Sequence, residues 1–112
     1  MRRYVPAAGD LVWLTFDPQV GREQAGRRPA LVLSPAKYNE KSSLALVCPV
    51  TTRAKGYPFE VTLPPGLAIT GVVLSDHVKS VDWVQRRAQL AGTVPSHVLG
   101  EVLDRLAPLL GY

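Results

Sequence analysis

The sequence predicts a mainly β (α+β) fold: short strands forming a small, strongly curved sheet or barrel, covered by one amphipathic C-terminal helix. Three observations carry that reading. Ten prolines and nine glycines are spread through 112 residues and cut the apolar sequence into short segments, the punctuation expected of a compact β-rich chain. Segments before residue 95 either alternate with a period of two or form short apolar runs, as strands do. After Pro95 the period changes, and Val98, Leu99, Val102, Leu103, Leu106 and Leu110 recur on one face at helical spacing.

The first strand is DLVWLTF, Asp10 to Phe16, with Val12, Leu14 and Phe16 on one face and Leu11, Trp13 and Thr15 on the other. PALVLS, Pro29 to Ser34, is a continuous apolar run that predicts a strand covered on both sides. LALVCPVT, Leu44 to Thr51, is a third, and Pro49 within it cannot donate to a ladder, so an edge or bulge is expected there. PFEVTL, Pro58 to Leu63, points Phe59, Val61 and Leu63 inward, with Glu60 and Thr62 outward. Pro64 to Gly66 turn the chain, and GVVLSD, Val78 to Trp83 and AQLAGTV supply the remaining strands. Pro95 suits the first turn of the closing helix, and Pro108 should bend or end it.

Length limits the chain to one domain spanning residues 1–112. An apolar content of 46% with 20% charged residues argues against disorder. No apolar stretch approaches the roughly 18 residues of a membrane span, and MRRYVPAAGD lacks the apolar core of a signal peptide. Cys48 is the single cysteine, which excludes an internal disulfide and a thiolate zinc cluster. These features point to a cytoplasmic protein. The net charge of +4 suits an anionic partner such as nucleic acid, and serves surface solubility equally well.

Chemistry concentrates in two places. The connection from Asp17 to Arg28 covers twelve residues, long for a link between neighbouring strands and therefore the first place to seek a site. It ends in Arg27 and Arg28, immediately before Pro29. An arginine fork donates two parallel hydrogen bonds to a phosphate and never loses its charge. Pro29 biases Arg28 to extended geometry. Pairing with Glu23 or plain solvation explains the same residues. The second place is VTTRAKG, Val50 to Gly56, where Thr51, Thr52, Arg53 and Lys55 sit at a strand end. They could bind phosphate or ribose, or simply follow the strand preference of threonine. His77 and His97 make a poor metal site, with no His-x-x-x-His pattern or carboxylate cluster beside them. Trp13 and Trp83 could stack bases, although core packing accounts for both.

Together, GDLVWLTFDP, EQAGRRPALVLSP, PVTTRAKGYPFEVTL and GVVLSDHVKSVDW resemble the MazF branch of the MazF/PemK toxins, the sequence-specific mRNA interferases. The blocks occur in order over nearly the whole chain. The resemblance implies an SH3-like antiparallel β-barrel with peripheral helices, a homodimer, and metal-independent cleavage of single-stranded mRNA at a short motif. It needs no cofactor. It places the family's catalytic arginine on Arg28 and its catalytic threonine on Thr51, and matches Glu23 and Gln24 to the acidic–amide pair of the substrate loop. Glu23 is the candidate base for the ribose 2′-hydroxyl. Gln24, Arg27, Thr52, Arg53, Lys55, Asp76, Lys79 and Arg86 are the expected RNA-binding residues, with Arg87 a further phosphate-tracking cation. A cognate MazE-like antitoxin with an acidic tail is the implied protein partner.

One position departs from the PemK/Kid pattern: the arginine expected two residues before the aspartate is Leu74 here, while Asp76 is kept. The acid role therefore has no assignment at that place. Two other readings remain open on sequence alone. One is a non-catalytic RNA-binding module; the other is a CcdB-like gyrase inhibitor, which would rely on a C-terminal aromatic tail where this chain reads LAPLLGY.

Overall fold

A computed structural model describes residues 3–15 and 27–112. Seven strands form: β1 (Asp10–Thr15), β2 (Arg27–Val32), β3 (Leu44–Thr51), β4 (Glu60–Thr62), β5 (Val72–Leu74), β6 (Lys79–Asp82) and β7 (Gln89–Thr93). They pair in the order β4-β5-β3-β2-β1-β7, with β6 also on β3, and these pairings are antiparallel. The mainly β fold class therefore stands. The sheet curls, but among the described residues no ladder joins β6 to β7, so hydrogen bonds do not close the barrel. A turn bridges that gap, with Ala88 N–H donating to the Trp83 carbonyl at 3.0 Å.

Alternation explains the core. On β1, β2 and β3, Leu11, Leu31, Cys48 and Val50 face one cluster, while Val12, Leu14, Ala30, Val32, Ala45 and Val47 face another. The central strands are thus covered on both faces, as the unbroken apolar run in β2 predicts. The first cluster is completed by Val61 and Val73 from β4 and β5 and by Val98 and Val102 from α2 (Ser96–Leu106). Val81 of β6 and Trp83 complete the second. Phe16, expected on the second face, lies outside the described residues.

Pro49 sits where β3 changes partner. β6 pairs with Leu44 to Val47, and β5 pairs with Val50 and Thr51. The missing N–H falls in that gap, as the chemistry of proline requires. Pro95 caps α2, and Pro108 stands in the 3₁₀ helix Ala107–Leu110 that ends it. Val98, Val102 and Leu106 are buried as the period predicts, but Leu103 and Leu110 are exposed. Where the helix tightens into 3₁₀ geometry, the α-helical face no longer carries to Leu110.

The sequence reading contains no counterpart of α1 (Ala36–Ser42). This short helix is anchored by a buried polar residue. Asn39 donates to the carbonyls of Pro6 (2.8 Å) and Ser34 (2.9 Å) and accepts from the Ser34 hydroxyl (2.6 Å). Its own carbonyl accepts the Trp83 indole N–H at 2.9 Å. Trp83 is therefore a satisfied core residue rather than a stacking face.

Candidate functional site

β2 and β3 bring the two places singled out in the sequence to one cavity of about 910 Å³. Arg28 and Pro29 line it from β2, Pro49, Val50 and Thr51 from β3, and Thr52, Arg53, Lys55 and Tyr57 from the following loop. Trp13, Ile69 and Leu74 add apolar wall. Among the charged lining residues, Arg28, Arg53, Lys55 and Lys79 stand against Glu60 alone. Crowded cations beside low-dielectric walls produce a field suited to an anion.

Thr51 ends β3, and its hydroxyl oxygen accepts the Arg53 N–H at 3.1 Å. That bond leaves the hydroxyl proton available to a ligand. Gly71 holds the strand end from behind. Its φ is +125°, and a Cβ there would lie 2.3 Å from the Thr51 carbonyl oxygen. Only glycine permits both the conformation and the approach. Arg28 is exposed at the cavity edge, and among the described residues its guanidinium has no hydrogen bond or ion pair.

The loop after Thr52 is pinned rather than loose. The Glu60 carboxylate accepts the backbone N–H groups of Lys55 (3.0 Å) and Gly56 (3.0 Å), and Arg105 of α2 donates to the Pro58 carbonyl at 3.0 Å. The Lys55 ammonium lies 6.0 Å from the Tyr57 ring centroid, and that residue is 61% exposed. A cation on one side of an exposed aromatic leaves a surface on which a base can stack.

The other residues expected from the sequence divide sharply. Thr52, Arg53, Lys55 and Lys79 join Arg28 and Thr51 in the cavity wall. Glu23 and Gln24 lie outside the described residues. Asp76 is exposed beside the cavity, its Oδ1 3.8 Å from His77 Nε2. Arg86 donates to the Thr15 carbonyl at 3.1 Å, away from the cavity lining. Arg27, outside the cavity lining, donates to Thr15 Oγ1, to the Arg87 carbonyl and to Gln89 Oε1. Sequence reasoning did not assign Tyr57, Glu60 or His77 to the site. The outward position of Glu60 in an alternating strand was its one visible signal; neither of the others had a motif.

Buried Cys48, just behind the site, takes no part in the lining. Burial first, and then the charge of Asp76, push its thiol up to about 12. Its S–H donates to the Ser75 carbonyl at 3.7 Å. A thiol held protonated is a packing group and a weak nucleophile. Among the described residues no three His, Cys, Asp or Glu side chains converge as a metal site would require, and no helix is long and apolar enough to cross a membrane.

Residues 7–110 match the profile of PemK-like, MazF-like toxins of type II toxin–antitoxin systems. The chain is 50% identical over 109 residues to the endoribonuclease toxin MazF of Escherichia coli K12, covering 97% of each chain. It superimposes on a MazF crystal structure from Deinococcus radiodurans with a TM-score of 0.88 and 61% identity, covering 98% of this chain and all of that one. A MazE–MazF crystal structure from the same organism gives a TM-score of 0.88 at 57% identity, covering 97% of this chain and 98% of that one.

Proposed function

The chain belongs to the PemK-like, MazF-like toxin family, and from that premise we propose that it is an endoribonuclease toxin cutting single-stranded mRNA at a short sequence motif. One observation supports this above the rest: Arg28 and Thr51, from different strands, line the same cation-rich cavity. The chemistry asks for such a pair. When a ribose 2′-oxygen attacks the adjacent phosphorus, the pentacoordinate transition state carries more negative charge than the substrate. Fixed donors that are already in place hold that charge without reorganising.

In this reading the Arg28 guanidinium forks onto the nonbridging oxygens and Thr51 Oγ1 donates a further hydrogen bond. The bond from phosphorus to the 5′-oxygen breaks, and that oxygen takes a proton from water, leaving a 2′,3′-cyclic phosphate and a 5′-hydroxyl. Arg53, Lys55 and Lys79 track neighbouring phosphates, and Tyr57 supports an unstacked base. Glu23 is the proposed base for the 2′-hydroxyl. The reaction needs no metal, because the guanidinium supplies the positive charge. The enzyme acts in the cytoplasm as a homodimer, and a MazE-like antitoxin with an acidic, disordered segment neutralises it by competing with RNA for the cavity cations.

Primer-extension mapping of cuts on a long RNA, with and without EDTA, tests the proposal. Discrete cuts at a recurring short motif, unchanged by EDTA, are expected. Binding without fragments, or cutting that EDTA abolishes, overturns it.

A further inference from the structure

The sequence analysis places Arg27 among the RNA-binding residues, next to the expected catalytic Arg28, but the geometry points to a different role for it. We propose that Arg27 is a positioning residue, a clamp that fixes the start of β2 and thereby the direction in which Arg28 leaves the sheet. The proposal rests on the reading of the cavity as an RNA-cleaving site.

Arg27 pairs with Thr15 across β1 and β2. Its Nη1 donates to Thr15 Oγ1 at 2.8 Å and to the Arg87 carbonyl at 2.9 Å, with a longer bond to the Arg86 carbonyl at 3.4 Å. Its Nη2 donates to Gln89 Oε1 at 3.0 Å. One guanidinium therefore ties together the end of β1, the turn before β7 and β7 itself. Thr15 is also held by its backbone: its N–H donates to the Arg86 carbonyl at 2.9 Å, and its carbonyl accepts from Arg86 Nη1 at 3.1 Å.

The turn is shaped to receive this side chain. Arg87 occupies the left-handed region at φ +56°, an uncommon conformation for a residue with a Cβ. Its N–H donates to the Val84 carbonyl while its own carbonyl meets Arg27. A planar fork satisfies acceptors spread over three elements, and a lysine ammonium, a compact point charge on a flexible stem, does not. Successive strand residues point to opposite faces. Holding Arg27 on the turn side consequently sends Arg28 to the cavity side. Positioned catalytic groups need that kind of support, because small displacements cost large factors in rate.

The test uses the full chain and three variants, Arg27→Lys, Arg27→Ala and Gln89→Leu, with the Lys and Leu changes also combined. Expected for Arg27→Lys is a loss of about tenfold in kcat on single-stranded RNA with KM unchanged. Gln89→Leu should lower kcat in the same direction, and the combination should be no worse than Arg27→Lys alone. Binding of an all-deoxy oligonucleotide by Arg27→Ala should keep the wild-type salt slope. A slope reduced by about 0.7 with kcat intact would instead make Arg27 a phosphate contact. Wild-type kcat in Arg27→Lys would also overturn the clamp. If the Arg27 variants do not fold, Gln89→Leu decides, since it removes one acceptor from an exposed edge. A wild type that cuts no RNA defeats the nuclease reading alone. The clamp is then judged by amide exchange at Thr15, expected to quicken by at least about tenfold in Arg27→Lys, with unchanged exchange counting against it.

Discussion

Two adjacent arginines open β2, and they sit in opposite circumstances. Around Arg27, carbonyls and side-chain oxygens from three elements take up the guanidinium donors. Arg28, one strand face away, lines a cavity together with Arg53, Lys55 and Lys79, and no described residue hydrogen-bonds or ion-pairs with its guanidinium. Like residue types thus hold architecture on one side of a strand and line a cation-rich cavity, the proposed anion site, on the other. Positive charge does not distinguish them. What distinguishes them is that described residues supply acceptors to the Arg27 guanidinium and none to that of Arg28. Arg86 falls on the architectural side with Arg27, through its bond to Thr15.

The sharpest way to break that contrast is to strip a donor from the cavity side. Thr51→Val keeps shape and removes the hydroxyl, and should lower single-turnover cleavage by about 10²-fold, the cost of losing one preorganised oxyanion donor. Circular dichroism and the melting temperature should barely move. Next in size is Gly71→Ala, whose added methyl meets the Thr51 carbonyl. It should cost about 1–3 kcal/mol of stability in denaturant unfolding and reduce cleavage with it, because the strand end carrying Thr51 must shift. Lys55→Ala tests the field rather than the chemistry. Its salt slope for single-stranded oligonucleotide binding should fall by about 0.7 while kcat holds.

The smallest effect is a linkage. The Cys48 thiol is raised by burial to about 12, above its unfolded value of about 8.5. Below the unfolded value the thiol is protonated in both states and costs nothing. Above it the unfolded chain ionises first, so stability falls as pH rises toward the folded value. The slope approaches about 1.4 kcal/mol per pH unit. Urea midpoints at pH 8 and pH 10 should differ more for the wild type than for Cys48→Ala. Tyr4 is also raised, by burial and its hydrogen bond to Asp10, and Tyr4→Phe separates its share.

No residue of β7 is buried, but β1 to β4 were visible as period or apolar run, because strands covered on one or both faces must write their burial into side-chain polarity. α1 was not. Its anchor, Asn39, is fully buried yet polar, held by hydrogen bonds to Ser34 nearby and to Pro6 and Trp83 far off in sequence, and no hydrophobic pattern registers such a contact. The site was legible where a motif existed: the arginine before Pro29 and the threonines ending β3 do meet in one cavity. The separate orientation of Arg27 and Arg86 was not legible, since it depends on a turn whose carbonyls converge only after folding. Tyr57 enters the site through a loop conformation that spacing does not encode.

The proposed cleavage depends most on the Arg28 guanidinium stabilising a phosphorus centre. Single-turnover cleavage of a short RNA by Arg28→Ala, measured beside its binding of the same oligonucleotide with deoxyribose at the scissile position, tests that directly. A rate lowered by at least about 10²-fold, with binding within a few-fold of wild type and an intact fold, is the expected result. A folded Arg28→Ala protein that cuts at close to the wild-type rate would contradict it.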